Sequence, residues 1–155
     1  MYFPSSAYAD DQELKLKTAY LVNIAKFVTW PENNSKITLC LSDNSSLHEF
    51  VSDLDGYLLG SERMLYIQTN PPDLDSCHMI FVDTGFDNQR LMQIRSHQSE
   101  SLLIISDIKG ALDKGDDVQM FVRDLKLRIA INESTISHSS FSISSKLLRI
   151  ARKLN

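Results

Sequence analysis

The chain is most constrained by a set of short, almost uninterrupted apolar runs set between amphipathic or turn-forming stretches. Ile37-Thr38-Leu39-Cys40-Leu41, Cys77-His78-Met79-Ile80-Phe81-Val82 and Leu102-Leu103-Ile104-Ile105 contain almost no polar alternation. A strand of that kind is buried on both faces, which in practice means a mostly parallel sheet covered by helices. The runs predict strands over 36–42, 64–69, 77–83 and 101–106. Between them, Leu14, Thr18, Leu21, Ala25 and Val28 recur at helical spacing, so a helix is expected over 12–30, stopped at Trp30-Pro31 because proline disfavours helical geometry in the residue before it. Lys15, Lys17 and Lys26 fall on its outside. Asp43-Asn44-Ser45-Ser46 offers N-caps for a helix through Leu47, Phe50, Val51 and Leu54, and Asp87 starts another through Leu91, Met92 and Ile94. The runs at 118–122 and 125–131 form a hairpin through Arg123-Asp124, adding antiparallel strands at one edge. A last helix covers 143–154. The expected fold is a single α/β domain: a mostly parallel, helix-covered sheet with a C-terminal antiparallel hairpin and a final helix.

A length of 155 residues suits one domain. The net charge of -4 argues against nucleic acid as partner, because phosphate binding needs a positive field. No apolar run approaches the roughly 18 residues of a membrane span. Ala7-Tyr8-Ala9 followed by Asp10-Asp11 fits the small-x-small pattern of a leader-peptidase site. Residues 1–9 are therefore read as the remnant of a signal peptide, and 10–155 as the exported domain. Two cysteines, Cys40 and Cys77, are then open to two readings. In an exported protein an even count suggests a bridge, whereas in a cytosolic one the pair would be buried thiols.

The usual chemical motifs are missing. There is no glycine-rich phosphate loop after a strand and no Gly-x-Ser-x-Gly elbow, and His48, His78, His97 and His138 lack metal-ligand spacing. Asp83 and Asp107 follow apolar strands, where α/β proteins place functional groups. The commoner role there is capping the next turn. No enzyme activity, metal or cofactor is expected. Two features read as binding surface. Phe27, Trp30 and Pro31 cluster at the end of the first helix, either as an aromatic anchor for a partner or, for Trp30, as closure of the core. Lys146, Arg149, Arg152 and Lys153 give the last helix four cations and no acid, which suits the helix macrodipole and equally an acidic partner surface.

The whole pattern resembles the YfiR family of periplasmic regulators. The resemblance rests on Lys17-Thr18-Ala19-Tyr20-Leu21-Val22-Asn23-Ile24-Ala25-Lys26-Phe27-Val28-Thr29-Trp30-Pro31 and on Leu39-Cys40-Leu41 with Cys77-His78-Met79-Ile80-Phe81-Val82. It rests further on Leu103-Ile104-Ile105-Ser106-Asp107 followed by Gly115, and on Arg128-Ile129-Ala130-Ile131-Asn132 with Ile143-Ser144-Ser145-Lys146-Leu147-Leu148-Arg149-Ile150-Ala151. A second cysteine pair found in some members has no counterpart here. The resemblance implies a periplasmic homodimer that binds and restrains the periplasmic domain of an inner-membrane diguanylate cyclase, lowering cyclic di-GMP and opposing biofilm growth. It also implies an outer-membrane lipoprotein as a second partner, and a bridge between Cys40 and Cys77 holding two strands in register. The alternative from another class is a periplasmic small-molecule sensing module acting with a histidine kinase or receptor, its ligand in a crevice near Asp83 and Asp107.

Overall fold

The computed structural model describes residues 5–32, 34–97 and 99–154, with the side chains of 5–10, 150 and 152–154 left outside that description. In chain order the elements are α1 (Ser5–Phe27), β1 (Val28–Thr29), β2 (Lys36–Leu41), α2 (His48–Ser52), β3 (Tyr57–Leu59), β4 (Arg63–Thr69), β5 (Met79–Val82), α3 (Asn88–Arg95), β6 (Leu103–Ser106), β7 (Val118–Arg123), β8 (Lys126–Ile131), α4 (Glu133–Ser137), β9 (Ser142–Ile143) and α5 (Ser145–Leu154). Of the expected leader, 1–4 lie outside the described residues and 5–9 form the backbone of the first turns of α1.

Seven strands form one sheet in the order β3-β4-β2-β5-β6-β7-β8. β4, β2, β5, β6 and β7 run parallel, and the two outer strands, β3 and β8, are antiparallel to their neighbours. The apolar runs are explained by this order. β5 is the central strand, and all four of its side chains are buried. Met79 and Phe81 point into the core beneath α1, α2 and α5, while Ile80 and Val82 point into a second core beneath α3. β6 repeats the pattern with Leu103 and Ile105 on one side and Ile104 on the other. The expectation of a mostly parallel sheet with a C-terminal hairpin and final helix therefore holds. Of the hairpin, only β8 is antiparallel to the sheet, since β7 lies parallel to β6.

The differences have local causes. α1 ends at Phe27 rather than Trp30, because Val28 and Thr29 pair with Ile143 and Ser142 of β9. The strand-like start of the expected last helix is thus spent on that pairing. α2 has no side-chain N-cap: the hydroxyls of Ser45 and Ser46 that were expected to supply one bind the Asp83 carboxylate instead. Met92, expected on the apolar face of α3, is 71% exposed, and Ile94 is the residue of that helix that is fully buried. β3 and α4, three and five residues long, carry no periodicity a sequence reading could use.

Cys40 in the middle of β2 and Cys77 just before β5 form a disulfide with Cα atoms 5.9 Å apart. It joins adjacent parallel strands on the α3 side of the sheet, where Cys40 is fully buried and Cys77 is 7% exposed. The bridge spans 37 residues, including the β3-β4 excursion. On the chain-entropy account, replacing both cysteines with alanine is expected to cost about 4 kcal/mol of unfolding free energy. Urea denaturation would show this as a lower midpoint with a steeper slope, because the unfolded chain expands; an unchanged midpoint would refute it.

Candidate interaction surface

The end of α1 is held in place by groups far away in sequence. The last carbonyls of a helix have no partner within it, and here two of them and one in β1 are reached by one side chain. The Arg63 guanidinium, at the start of β4, donates from Nη1 to the carbonyls of Ala25 (2.9 Å), Lys26 (3.3 Å) and Val28 (2.6 Å). A cation at a helix C-terminus is favoured by the macrodipole as well as by the hydrogen bonds. Beyond the helix, Asn34 clamps Trp30 from both sides: its side-chain oxygen accepts from the Trp30 N–H at 2.8 Å, and its amide donates to the Trp30 carbonyl at 2.7 Å.

Trp30 itself closes the core, the second of its two expected roles. It is 2% exposed, its indole N–H donates to the Ser101 carbonyl at 3.0 Å, and its ring packs edge-on to His78 and tilted against Phe141. As an anchor offered to a partner, Trp30 is therefore corrected: a residue of that size with its polar handle satisfied is a core residue. Pro31 stays exposed and, with Trp30, Glu32 and His78, lines a cleft of about 430 Å³.

Phe27 and the last helix, by contrast, are brought together. Ser144 N–H donates to the Phe27 carbonyl at 3.0 Å, and β1 pairs with β9 immediately before α5. The half-buried Phe27 ring consequently lies between two cations, Lys26 Nζ at 5.6 Å and Lys146 Nζ at 5.7 Å from its centroid. Arg149 is exposed one turn further along α5, whose buried face is Leu147 and Ala151. Arg152 lies on the same helix, its side chain outside the described residues. Two patches 115 or more residues apart in sequence thus form one aromatic-basic surface.

The strand ends carry different contents. Asp83, after β5, is 3% exposed and accepts from Ser45 Oγ (2.8 Å), Ser46 N (3.0 Å), Ser46 Oγ (3.1 Å) and Gly85 N (3.0 Å). It caps its own turn, as expected, and also ties down the loop after β2. That loop passes so close that a Cβ on Gly85 would sit 2.7 Å from the Asn44 backbone, which only glycine permits. After β6 it is Ser106 rather than Asp107 that takes the N–H of Ile108, on its Oγ at 3.0 Å. Asp107 accepts from Lys17 Nζ at 2.9 Å, and Glu13 lies 3.0 Å from the same ammonium. Lys17, expected on the outside of α1, is 8% exposed. The signal for this was present: 14, 17, 21, 24 and 28 form one stripe, and Lys17 occupies a buried place on it. Arg63 and Asn34 gave no such signal, because their roles depend on which chain segments meet.

A family model described as YfiR/HmsC-like matches residues 14–152. The chain belongs to the YfiR/HmsC-like family. No curated protein matches it. The family is one of periplasmic regulators of cyclic di-GMP signalling, regulatory rather than catalytic, and acts with a partner signalling protein. Among the described residues no helix is long and apolar enough to cross a membrane.

His78 gives this part of the molecule a pH dependence. Burial pushes its pKa below 6.5, opposed only in part by the charge of Glu32. Its Nδ1 accepts from the Thr38 N–H at 3.0 Å, which the neutral ring alone can do. A base held neutral by the fold contributes stability above its unfolded pKa of 6.5, lost as pH falls from there toward the lower folded value. Stability is therefore expected to fall on acidification below pH 6.5. His78→Asn, whose amide oxygen can still accept from Thr38, should lose that component. Thermal melts of the two proteins across this range would decide it; parallel profiles would count against a buried neutral His78.

Proposed function

We propose that this chain is a periplasmic repressor: it binds the periplasmic domain of an inner-membrane diguanylate cyclase, stabilises that enzyme's inactive arrangement, and lowers cyclic di-GMP. The observation that carries the reading is the Phe27–Lys146 surface. Family membership supplies the signalling context. The surface supplies what a partner needs: one aromatic ring with Lys26 and Lys146 against it, Arg149 exposed further along α5, and a position fixed by the pairing of β1 with β9. A surface already ordered in the free protein loses little entropy on binding. It can restrain an enzyme only by binding one of its conformations better than another. A homodimer, a sequestering outer-membrane lipoprotein and processing after Ala9 belong to the same proposal.

The small-molecule sensing alternative placed its ligand near Asp83 and Asp107. It draws less support, because Asp83 spends its carboxylate on four internal donors and Asp107 is paired with Lys17.

The test is affinity capture from envelope extracts with this chain as bait and mass spectrometry as readout. A membrane diguanylate cyclase should be recovered, and its purified periplasmic domain should compete it away. Phe27→Ala with Lys146→Glu should weaken binding of that domain by about tenfold or more, the scale of a hot-spot residue. Since Phe27 also packs against the core, the control is Lys146→Glu alone, at an exposed position, which should weaken binding while leaving the melting temperature nearly unchanged. Trp30→Ala should instead cost roughly 3–5 kcal/mol of stability, as a core truncation does. Capture of a kinase or receptor in place of the cyclase, or full binding by the Phe27/Lys146 variant, would refute the reading.

A further inference from the structure

The β7–β8 hairpin breaks two local rules at its tip, where Arg128 lies 3.9 Å from Asp124 and donates to the Arg123 carbonyl at 3.4 Å. Its two turn residues, Asp124 and Leu125, both sit at positive φ, 53° and 62°. Turns of this kind favour asparagine and glycine, and a branched side chain is uncommon there. Leu125 nevertheless occupies the second position and is 99% exposed, making no core contact that would explain its choice. Next to the turn, Arg123 stands directly opposite Lys126, a like-charge cross-strand pair that a free hairpin would avoid. Both cations are exposed, and Arg123 lies over the Phe121 ring at 5.3 Å. Val122, one step back on β7, is 50% exposed.

The tip also projects. β7 pairs with β6 only at Val118 and Gln119, so its last four residues and the turn run on past the carboxyl end of the parallel sheet. Lys109, in the loop after β6, borders the same overhang across a cleft of about 460 Å³ that Phe121 and Val122 line. The protein thus carries, against a net charge of -4, a tip with a bare leucine at its end, Arg123 and Lys126 beside it, and Lys109 further back across the cleft from Val122. Asp124 is the one acid in the turn.

We infer that the β7–β8 tip is a docking point for an anionic lipid surface, with Leu125 and Val122 entering the interfacial layer and Arg123, Lys126 and Lys109 facing lipid phosphates. The charge pattern favours lipid over a protein pocket. Arg123 and Lys126, directly opposite in the ladder, project from one face of the hairpin, and a sheet of negative headgroups on that face relieves their mutual repulsion. Interfacial anchoring of this type combines a small apolar insertion with attraction to anionic lipid and is reversible. The inference is independent of the cyclase reading, since its test contains no other protein.

The experiment is flotation of the full chain with vesicles of phosphatidylcholine alone or with about one-third phosphatidylglycerol, at low and high salt. The chain should float with the anionic vesicles, fail to float with the neutral ones, and dissociate as salt rises. Leu125→Asn, which suits a left-handed position better than leucine, should melt at the same temperature or higher and yet bind about tenfold more weakly. Arg123→Ser with Lys126→Ser should keep the fold and lose about thirtyfold, roughly a factor of five per charge. Equal flotation with neutral vesicles, or wild-type flotation by Leu125→Asn, would overturn the inference. So would a lipid-free binding defect of Leu125→Asn toward the cyclase's periplasmic domain combined with no vesicle binding by the parent chain, which would assign the tip to a protein.

Discussion

The docking of α1 across the sheet is the contact on which the other parts of the molecule depend. Leu21, Ile24 and Ala25 are fully buried beneath it, and the helix is held by a cation at its middle and another at its C-terminal end. At the C-terminal end Arg63 gathers the last carbonyls; further along, Lys17 reaches Asp107 at the end of β6. Burial works against the Lys17 ammonium, but its hydrogen bonds and charge contacts with Asp107 and Glu13 outweigh that and raise its pKa. Burial pushes the Asp107 carboxyl up too, and Lys17 offsets the rise only in part. The pair therefore adds little net stability, as is usual for buried ion pairs. Losing one partner would still cost about 3–5 kcal/mol by stranding the other charge, so the pair specifies where the helix lies more than how firmly. With α1 placed in this way, Phe27, β1 and Trp30 have no freedom left: β1 must meet β9, and Trp30 must turn into the gap between His78 and Phe141.

The same economy appears at the carboxyl ends of the strands. The parallel core has the order β4-β2-β5-β6-β7, with the direction of winding reversing between β2 and β5. In doubly wound sheets the crevice at that reversal is the usual ligand site. Here the loops after β2 and β5 are tied together through Asp83, Ser45, Ser46 and the close approach of Gly85 to Asn44. Acids further along the sheet are likewise spent inward. Asp116, fully buried, takes a two-point contact from Arg95, and Asp117 accepts the Ile104 N–H. Burial raises the pKa of Asp117, with its hydrogen bonds only partly opposing it. These carboxylates join elements that the short helices α2 and α3 cannot hold by apolar contact alone.

How much of this was legible in the sequence follows from the range of the forces involved. Strands β2, β5 and β6 showed through because burial on both faces leaves an apolar run whatever lies around it, and β4, with only Leu65 fully buried, showed through on its β-favouring Met64 to Ile67 stretch. The hairpin showed through because its two runs are adjacent. The cysteine pair was legible only on the premise of export, since sequence gives no distance between strands. Trp30 was ambiguous because an aromatic before proline is equally consistent with an exposed tip and a buried plug; the choice rests on Asn34 and Ser101, which belong to other segments. Lys17 was misplaced because charge was given more weight than position on the helical stripe, although a long side chain can bury its stem and carry its charge to a buried acid. The joining of Phe27 with Lys146 was out of reach altogether, since it depends on two residues of β1 finding two of β9.

That short pairing also bears on how a protein of this family could regulate. The aromatic-basic surface is assembled from the first and last helices, and four residues of antiparallel ladder connect them. Such a junction is stiff enough to present a defined surface, because Val28 is fully buried and Ser144 adds a further backbone bond to Phe27. α5 itself is seated on the sheet through Leu147 and Ala151, so the position of Lys146 relative to Phe27 is tied to the core. A regulator needs such a preformed contact, so that binding energy is not consumed by ordering. In this chain the seven-stranded sheet with its disulfide is joined to the aromatic-basic surface through the β1–β9 pairing.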